Sequence, residues 1–320
     1  MSANRRSFLK AAACVGGWAS VNLLPGEEVS QEKKEELVSP VEGRIALNLG
    51  TILQYKLPFL KQLELAAQVG FQNVEIWLHL LEQYLQEGGT LEELRSRLSD
   101  WNLRVVGAIG FTPWGVNDDT KRRQAMETMK RDMERMAALG ATTLAAAPAG
   151  IYNRDDVELA ALAGRYRELL ELGETVGVFP QLEIWGAGQT LSKLSDATWV
   201  VVESAHPQAA LLLDVYHLFR GGNDFTSLRQ LNGRRMTNFH WNDYPGNIPR
   251  EEQKDGDRVF PGEGVAPLVE IAQILRETGF TGTFSLEIFN RNYVQNWSNP
   301  LEMLQVAYRK MRDSLQKAGI

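Results

Sequence analysis

The chain has 320 residues, 44% of them hydrophobic and 23% charged, with a formal net charge of −6. That is the balance of a soluble, core-forming protein, and it excludes the extremes of disorder and of fibrous repeats. It also argues against sequence-independent nucleic-acid binding, which relies on a basic surface that displaces counterions, and no apolar run reaches the ~18 residues of a membrane span.

At the N-terminus, Asn4-Arg5-Arg6-Ser7-Phe8-Leu9-Lys10 precedes a small-residue apolar stretch from Ala11 to Leu24. Paired arginines, then Phe-Leu-Lys, then a weakly hydrophobic region resemble a twin-arginine export signal, so residues 1–25 are expected to address the chain to the periplasm through the twin-arginine machinery. The single cysteine, Cys14, lies inside this segment. A cleaved protein would hold no disulfide, cysteine nucleophile or thiolate metal site. Residues 26–43, rich in Glu and Lys without hydrophobic periodicity, read as a solvated linker.

From Arg44 the pattern becomes regular. Apolar runs of strand length fall at Arg44–Leu49, Asn73–Trp77, Leu103–Ile109, Thr142–Ala147, Phe179–Ile184, Ala210–Asp214, Met236–Trp241 and Thr283–Ile288. Amphipathic stretches of helical length alternate with them, including Pro58–Val69, Leu91–Trp101, Thr120–Leu139, Val157–Val176 and Leu268–Thr278, with a last one at Leu301–Gln316. Gly70, Gly140, Gly177 and Gly279 follow four of these stretches, where left-handed caps are expected. Eight strand–helix units in about 275 residues predict a single-domain (β/α)₈ barrel over residues 44–320. A doubly wound open sheet would show a glycine-rich phosphate loop after its first strand, and Leu47-Asn48-Leu49-Gly50-Thr51 is not one.

In such a barrel the C-terminal ends of the strands converge on one mouth. Strands five to eight end at Glu183, Asp214, His240 and Glu287, each after an apolar run. Three carboxylates delivered to one buried place need a cation, because an isolated buried carboxylate is expensive. A divalent metal resolves the repulsion, and carboxylates with one imidazole suit Mn²⁺ first, with Mg²⁺, Co²⁺ and Zn²⁺ as alternatives. Among the other strand ends, Glu75 suits a substrate hydrogen bond or an arginine pair. Trp77, Phe111, Trp114 and Trp185 offer aromatic faces for the C–H faces of a sugar, or packing at the barrel rim.

Leu-Glu-Ile-Trp-Gly at 182–186, Asp-Val-Tyr-His at 214–217, His-Trp-Asn-Asp at 240–243, Asp-Arg-Val-Phe-Pro-Gly-Glu-Gly at 257–264 and Ser-Leu-Glu-Ile at 285–288 carry a family likeness. Over residues 44–320 the chain resembles the xylose-isomerase-like TIM barrels, particularly sugar isomerases and epimerases of the tagatose-epimerase and hydroxypyruvate-isomerase type. The resemblance implies that Glu183 and Glu287 are both metal ligands and the acid/base pair. It also implies that His217 and Arg258 hold and polarise the substrate oxygen. The segment from Asp243 to Phe260 is longer than in compact epimerases, which blurs the position of Arg258. The chemistry implied is proton abstraction beside a carbonyl through an enediolate, with a carboxylate on each face.

The same site serves a dehydratase or lyase on a keto-sugar or inositol-type substrate, if proton removal is followed by loss of a β-leaving group. A metal-dependent abasic-site endonuclease is disfavoured, because strands three and four end in Ala108-Ile109-Gly110-Phe111 and Ala147-Pro148-Ala149 without the extra histidines, and Val259 follows Asp257-Arg258. A non-catalytic sugar-binding barrel would not need both glutamates. The expected partner is therefore a small sugar-like molecule, without a glycine-rich phosphate cradle to receive a phosphate. Oligomer formation is left open.

Overall fold

The computed structural model describes residues 41–320, so the proposed signal and nearly all of the linker lie outside the described residues. Eight parallel strands form the core: β1 (Ile45–Asn48), β2 (Asn73–Trp77), β3 (Arg104–Ile109), β4 (Thr143–Ala146), β5 (Phe179–Glu183), β6 (Leu211–Asp214), β7 (Asn238–Trp241) and β8 (Thr283–Leu286). Their order is β3-β2-β1-β8-β7-β6-β5-β4, so the chain closes on itself through β1 and β8. This is a nearly closed (β/α)₈ barrel in which no backbone ladder joins β3 to β4 among the described residues. Only a side-chain bond crosses there, from Thr143 Oγ1 to the Val106 carbonyl at 3.2 Å.

The helices are α1 (Phe59–Val69), α2 (Leu78–Gln86), α3 (Leu91–Asp100), α4 (Asp119–Ala138), α5 (Leu159–Val176), α6 (Leu194–Glu203), α7 (Val215–Arg220), α8 (Leu268–Glu277), α9 (Arg291–Asn296) and α10 (Pro300–Lys317). The four capping glycines have φ of +107° (Gly70), +79° (Gly140), +80° (Gly177) and +82° (Gly279), the left-handed conformation that glycine adopts without a Cβ clash. Among the described residues, no helix is long and apolar enough to cross a membrane.

Successive strand residues face alternately towards the helices and into the barrel. Outward residues such as Ile45, Leu47, Val74, Ile76 and Phe239 are buried against the helical layer. The interior is polar instead. Thr237 Oγ1 donates to Gln181 Oε1 at 3.0 Å and lies 3.2 Å from Thr143 Oγ1, while Thr283 Oγ1 donates to Asn238 Oδ1 at 2.6 Å. Buried polar groups are tolerated when paired in this way, and the pairing orients each side chain of the layer above.

Candidate metal and active site

Strands β6, β7 and β8 bring Asp214, His240 and the adjoining Glu287 to the C-terminal mouth, where one ligand atom from each lies within 4.8 Å of the others. All three are buried. His240 Nδ1 stands 3.2 Å from Glu287 Oε2 and 3.6 Å from Asp214 Oδ2. Glu183, at the end of β5, lines the same cavity outside that closest set.

The two oxygens of Asp214 have separate jobs. Oδ1 caps α7 by accepting the His217 N–H at 2.8 Å, and Oδ2 accepts from Asn242 Nδ2 at 2.9 Å and Arg258 Nη1 at 3.1 Å. Burial alone would raise the Asp214 carboxyl, but Arg258, with the hydrogen bond to His240, holds it well below the usual range. Burial pushes the Glu183 carboxyl up to about 8, with Glu287 and Glu75 adding repulsion against the opposing pull of His240. Two carboxyl groups of the site thus differ sharply in proton affinity, the pattern expected of groups in different roles.

Arg258 reaches this place although it lies far along the chain from any strand end. An antiparallel bridge pairs Asp243 with Val259, and a 3-10 turn at Asp255–Asp257 folds the intervening segment back over the mouth. Asp243 secures the return by accepting backbone N–H groups from Tyr244, Gly262, Gly264 and Ala266 at 2.8–3.0 Å. The guanidinium is buried between the rings of Tyr216 and Phe289, each 4.8 Å away. Its Nη1 also donates to Glu287 Oε2 at 2.5 Å, and its Nη2 to Asp255 Oδ1 at 2.7 Å.

His217 Nε2 lies 3.0 Å from Arg258 Nη2, and its Nδ1 is 3.3 Å from the Gly186 N–H. Burial, and then the Arg258 charge, lower its pKa, so the imidazole is neutral at pH 7. Gly186 makes this approach feasible, because a Cβ there would stand 2.0 Å from the His217 carbonyl oxygen.

The cavity in front of these groups has a volume of about 350 Å³. Trp77, Phe111, Tyr152, Trp185 and Phe289 wall it, and neighbouring rings meet at centroid distances of 5.4–5.9 Å. Trp77 and Trp185, expected to face substrate, do line it.

Two residues expected there do not. Trp114 is buried away from the cavity, donating to the Ala147 carbonyl at 2.8 Å and packing against Tyr166. Glu75 lies deeper in the barrel, bonded to His240 rather than to an arginine or to the cavity. It stands two residues before the end of β2, a depth along the barrel axis that a motif does not show. Sequence reasoning passed over Asn48, Asn242, Asp255, Tyr152 and Phe289 as site residues. A polar Asn48 between Leu47 and Leu49 was the available signal for the first, and the His-Trp-Asn-Asp run for the second.

Two buried atoms among the described residues test whether this cluster fits a metal. His240 Nδ1 and Glu183 Oε2 have no hydrogen-bond partner. Each is a ligand atom, and an imidazole nitrogen with carboxylate oxygens is a donor set for a borderline-to-hard divalent ion. The residues fit.

A (β/α)₈ barrel with its polar residues gathered where the strands end is the architecture of barrel enzymes. The family is specific: the chain belongs to the xylose isomerase-like TIM barrel family, whose model matches residues 63–313. An inosose isomerase of Halalkalibacterium halodurans is 24% identical over 257 residues, covering 79% of this chain and 90% of that protein. A fructoselysine 3-epimerase of Escherichia coli O157:H7 is 22% identical over 235 residues, 70% of this chain and 82% of the relative. A 3-dehydroshikimate dehydratase of Pseudomonas aeruginosa is 25% identical over 266 residues, 80% of this chain and 41% of the longer relative. Among solved structures, an IOLI protein with a bound zinc atom superposes with a TM-score of 0.78 at 23% identity, over 86% of this chain and 99% of that one. The relatives are enzymes, isomerases and epimerases with a dehydratase among them.

Proposed function

We propose that the protein is a metal-dependent isomerase or epimerase of an unphosphorylated, sugar-like carbonyl compound. The observation that carries the reading is the pair Glu183 and Glu287, both lining one cavity beside Asp214 and the unpartnered Nδ1 of His240. Asp214, His240 Nδ1, Glu287 and Glu183 would hold the ion, and Mn²⁺ suits their donor set best. Bound there, the ion supplies Lewis-acid polarisation of a carbonyl oxygen. The chain's own groups do the rest. One glutamate removes the proton beside the carbonyl and the other returns it, to the neighbouring carbon or to the opposite face. His217, neutral and aimed at the cavity, and Arg258 orient the oxygen that gains charge. Among the described residues, Arg258 is the sole lysine or arginine lining the cavity, and carboxylates already engage it. A phosphate would therefore find no free counter-charge, whereas the aromatic walls suit the C–H faces of a polyol.

The similarity to 3-dehydroshikimate dehydratase supports a second reading, in which the same proton removal ends in loss of water. Incubation with keto-sugars and inososes in deuterium oxide, with Mn²⁺ present, tests both. Deuterium beside the carbonyl of an isomeric product supports isomerisation, and a dehydrated product supports elimination. No exchange on any substrate of the panel would overturn both.

We also propose that residues 1–25 direct export through the twin-arginine route. Replacing Arg5 and Arg6 by lysine is expected to retain the protein in the cytoplasm, and normal export of that variant refutes the signal.

A further inference from the structure

Glu75 sits on β2 beneath the metal cluster, 1% exposed. The β2–β3 register slips between Val74 and Glu75, and opposite Glu75 is Gly107, where a Cβ would come 3.1 Å from Oε1. An irregular strand and a glycine therefore make room for a carboxylate on the barrel axis. Its oxygens are surrounded by donors. Oε1 accepts from Asn238 Nδ2 at 2.7 Å, while Oε2 accepts from Asn48 Nδ2 at 2.8 Å and Ser285 Oγ at 3.0 Å, and lies 2.8 Å from His240 Nε2.

The direction of these bonds is set from outside the cluster. Asn48 Oδ1 accepts from the Gly50 N–H at 2.8 Å and from Trp77 Nε1–H at 2.7 Å, two groups that can only donate. Its amide nitrogen must then face Glu75 Oε2, and also Glu287 Oε1 at 3.0 Å. Asn238 turns its amide nitrogen to Glu75 Oε1 and its Oδ1 to the Thr283 hydroxyl, 2.6 Å away. Glu75 is thus an acceptor towards every neighbour, and the contact to His240 requires the proton to be on Nε2.

We infer that Glu75 is a positioning residue that keeps the proton of His240 on Nε2, leaving Nδ1 as the nitrogen that faces Asp214 and Glu287 and takes the metal. The inference rests on the metal reading under Proposed function, but the tautomer can be measured without a metal. Carboxylate partners of metal-binding histidines commonly act this way, and their loss weakens metal binding by about 10–100-fold.

The test has two parts. Long-range ¹H–¹⁵N correlation across the neutral His240 ring of the wild-type protein is expected to show the proton on Nε2 and a bare Nδ1. Added Zn²⁺ should perturb Nδ1. Mn²⁺ titrations of wild type, Glu75→Gln and Ser285→Ala should give about a 10–100-fold loss for the first variant. Ser285→Ala, which keeps the Glu75–His240 contact, should stay within about threefold. A bare Nε2 in the wild-type ring overturns the inference whether or not the Gln variant folds, and so does unchanged Mn²⁺ affinity in a folded Glu75→Gln. If wild type binds neither Mn²⁺ nor Zn²⁺, the metal reading falls instead, and the metal-free ring spectrum still decides the role of Glu75.

Discussion

The two halves of the barrel are built alike and equipped differently. Strands β5 to β8 carry Glu183, Asp214, His240 and Glu287 at or beside their C-terminal ends, the groups able to exchange protons or hold an ion. Strands β1 to β4 finish in Asn48, Trp77, Ile109 and Ala146, none of which titrates near neutral pH. Yet the first half is engaged with the site throughout. Asn48 bonds Glu287, Glu75 bonds His240, and Trp77 and Phe111 wall the cavity. One half supplies reactive groups and the other their orientation and the substrate's surroundings. The three carboxylates and the histidine of the second half would repel and wander without fixed partners, so the first half gives the second its geometry.

The largest effects should follow from the charged half. Asp214→Ala or His240→Ala removes a ligand outright, and metal affinity measured by titration should fall by more than about 100-fold, beyond the range for lost supporting partners. Near-wild-type affinity in both variants would remove β6 and β7 from the metal site.

Next come Glu183→Gln and Glu287→Gln. Each keeps an oxygen but loses the proton affinity, so turnover should drop by roughly two orders of magnitude or more, with smaller metal loss than in the ligand deletions. If one glutamate starts the reaction, the other variant should still exchange the substrate proton with solvent without completing the product. Wild-type turnover in either would leave a single base and favour elimination.

In the first half, Asn48→Ala strips a donor from both Glu75 and Glu287 and the acceptor from Trp77 Nε1–H. Chemical denaturation should show a loss of about 1–3 kcal/mol for these unsatisfied buried groups, with turnover reduced less than in the glutamate variants. An effect on turnover as large as that of Glu183→Gln would erase the division between halves. Phe111, 49% exposed at the rim, should matter less: Phe111→Ala is expected to change stability by no more than about 0.5 kcal/mol and to raise KM without lowering kcat.

The smallest effect lies outside the cavity. Burial raises the Asp132 carboxyl in α4 above its ordinary value, against the pull of Arg131 and Arg135. The folded protein therefore binds this proton more tightly than the unfolded chain, and the associated stability is lost as pH rises from the unfolded value through the folded one. Asp132→Asn should be more stable than wild type by about 0.5 kcal/mol at pH 7, the loss of the contact to Arg135 keeping the figure small, and the gain should shrink towards pH 4. A gain that grows on acidification would contradict that sign.

The fold was legible because each strand is a short apolar run closed by turn residues, and all eight expected runs contain a strand. Of the helices not singled out, α2, α7 and α9 are short, and α2 and α7 begin where a strand ends. Asp214, for example, belongs to β6 and caps α7 at once. At the site, the charged half was legible as residues at strand ends. Glu75 and Trp114 were expected at the mouth because sequence position does not give depth along the barrel axis. Arg258 is placed by a bridge between Asp243 and Val259 and by four backbone N–H groups converging on Asp243, relationships that exist only once the segment has folded back.

The unpaired seam between β3 and β4 gives this barrel a natural cutting line. Everywhere else round the ring a backbone ladder holds neighbouring strands, but there the link is Thr143 Oγ1 on the Val106 carbonyl. Cleaving the covalent connection at this seam would separate β1–β3 from β4–β8 without breaking a single ladder, since β1 still docks on β8. The molecule therefore lends itself to reassembly from two pieces: the orienting strands β1–β3 expressed as one polypeptide, and the strands bearing Glu183, Asp214, His240 and Glu287 as another.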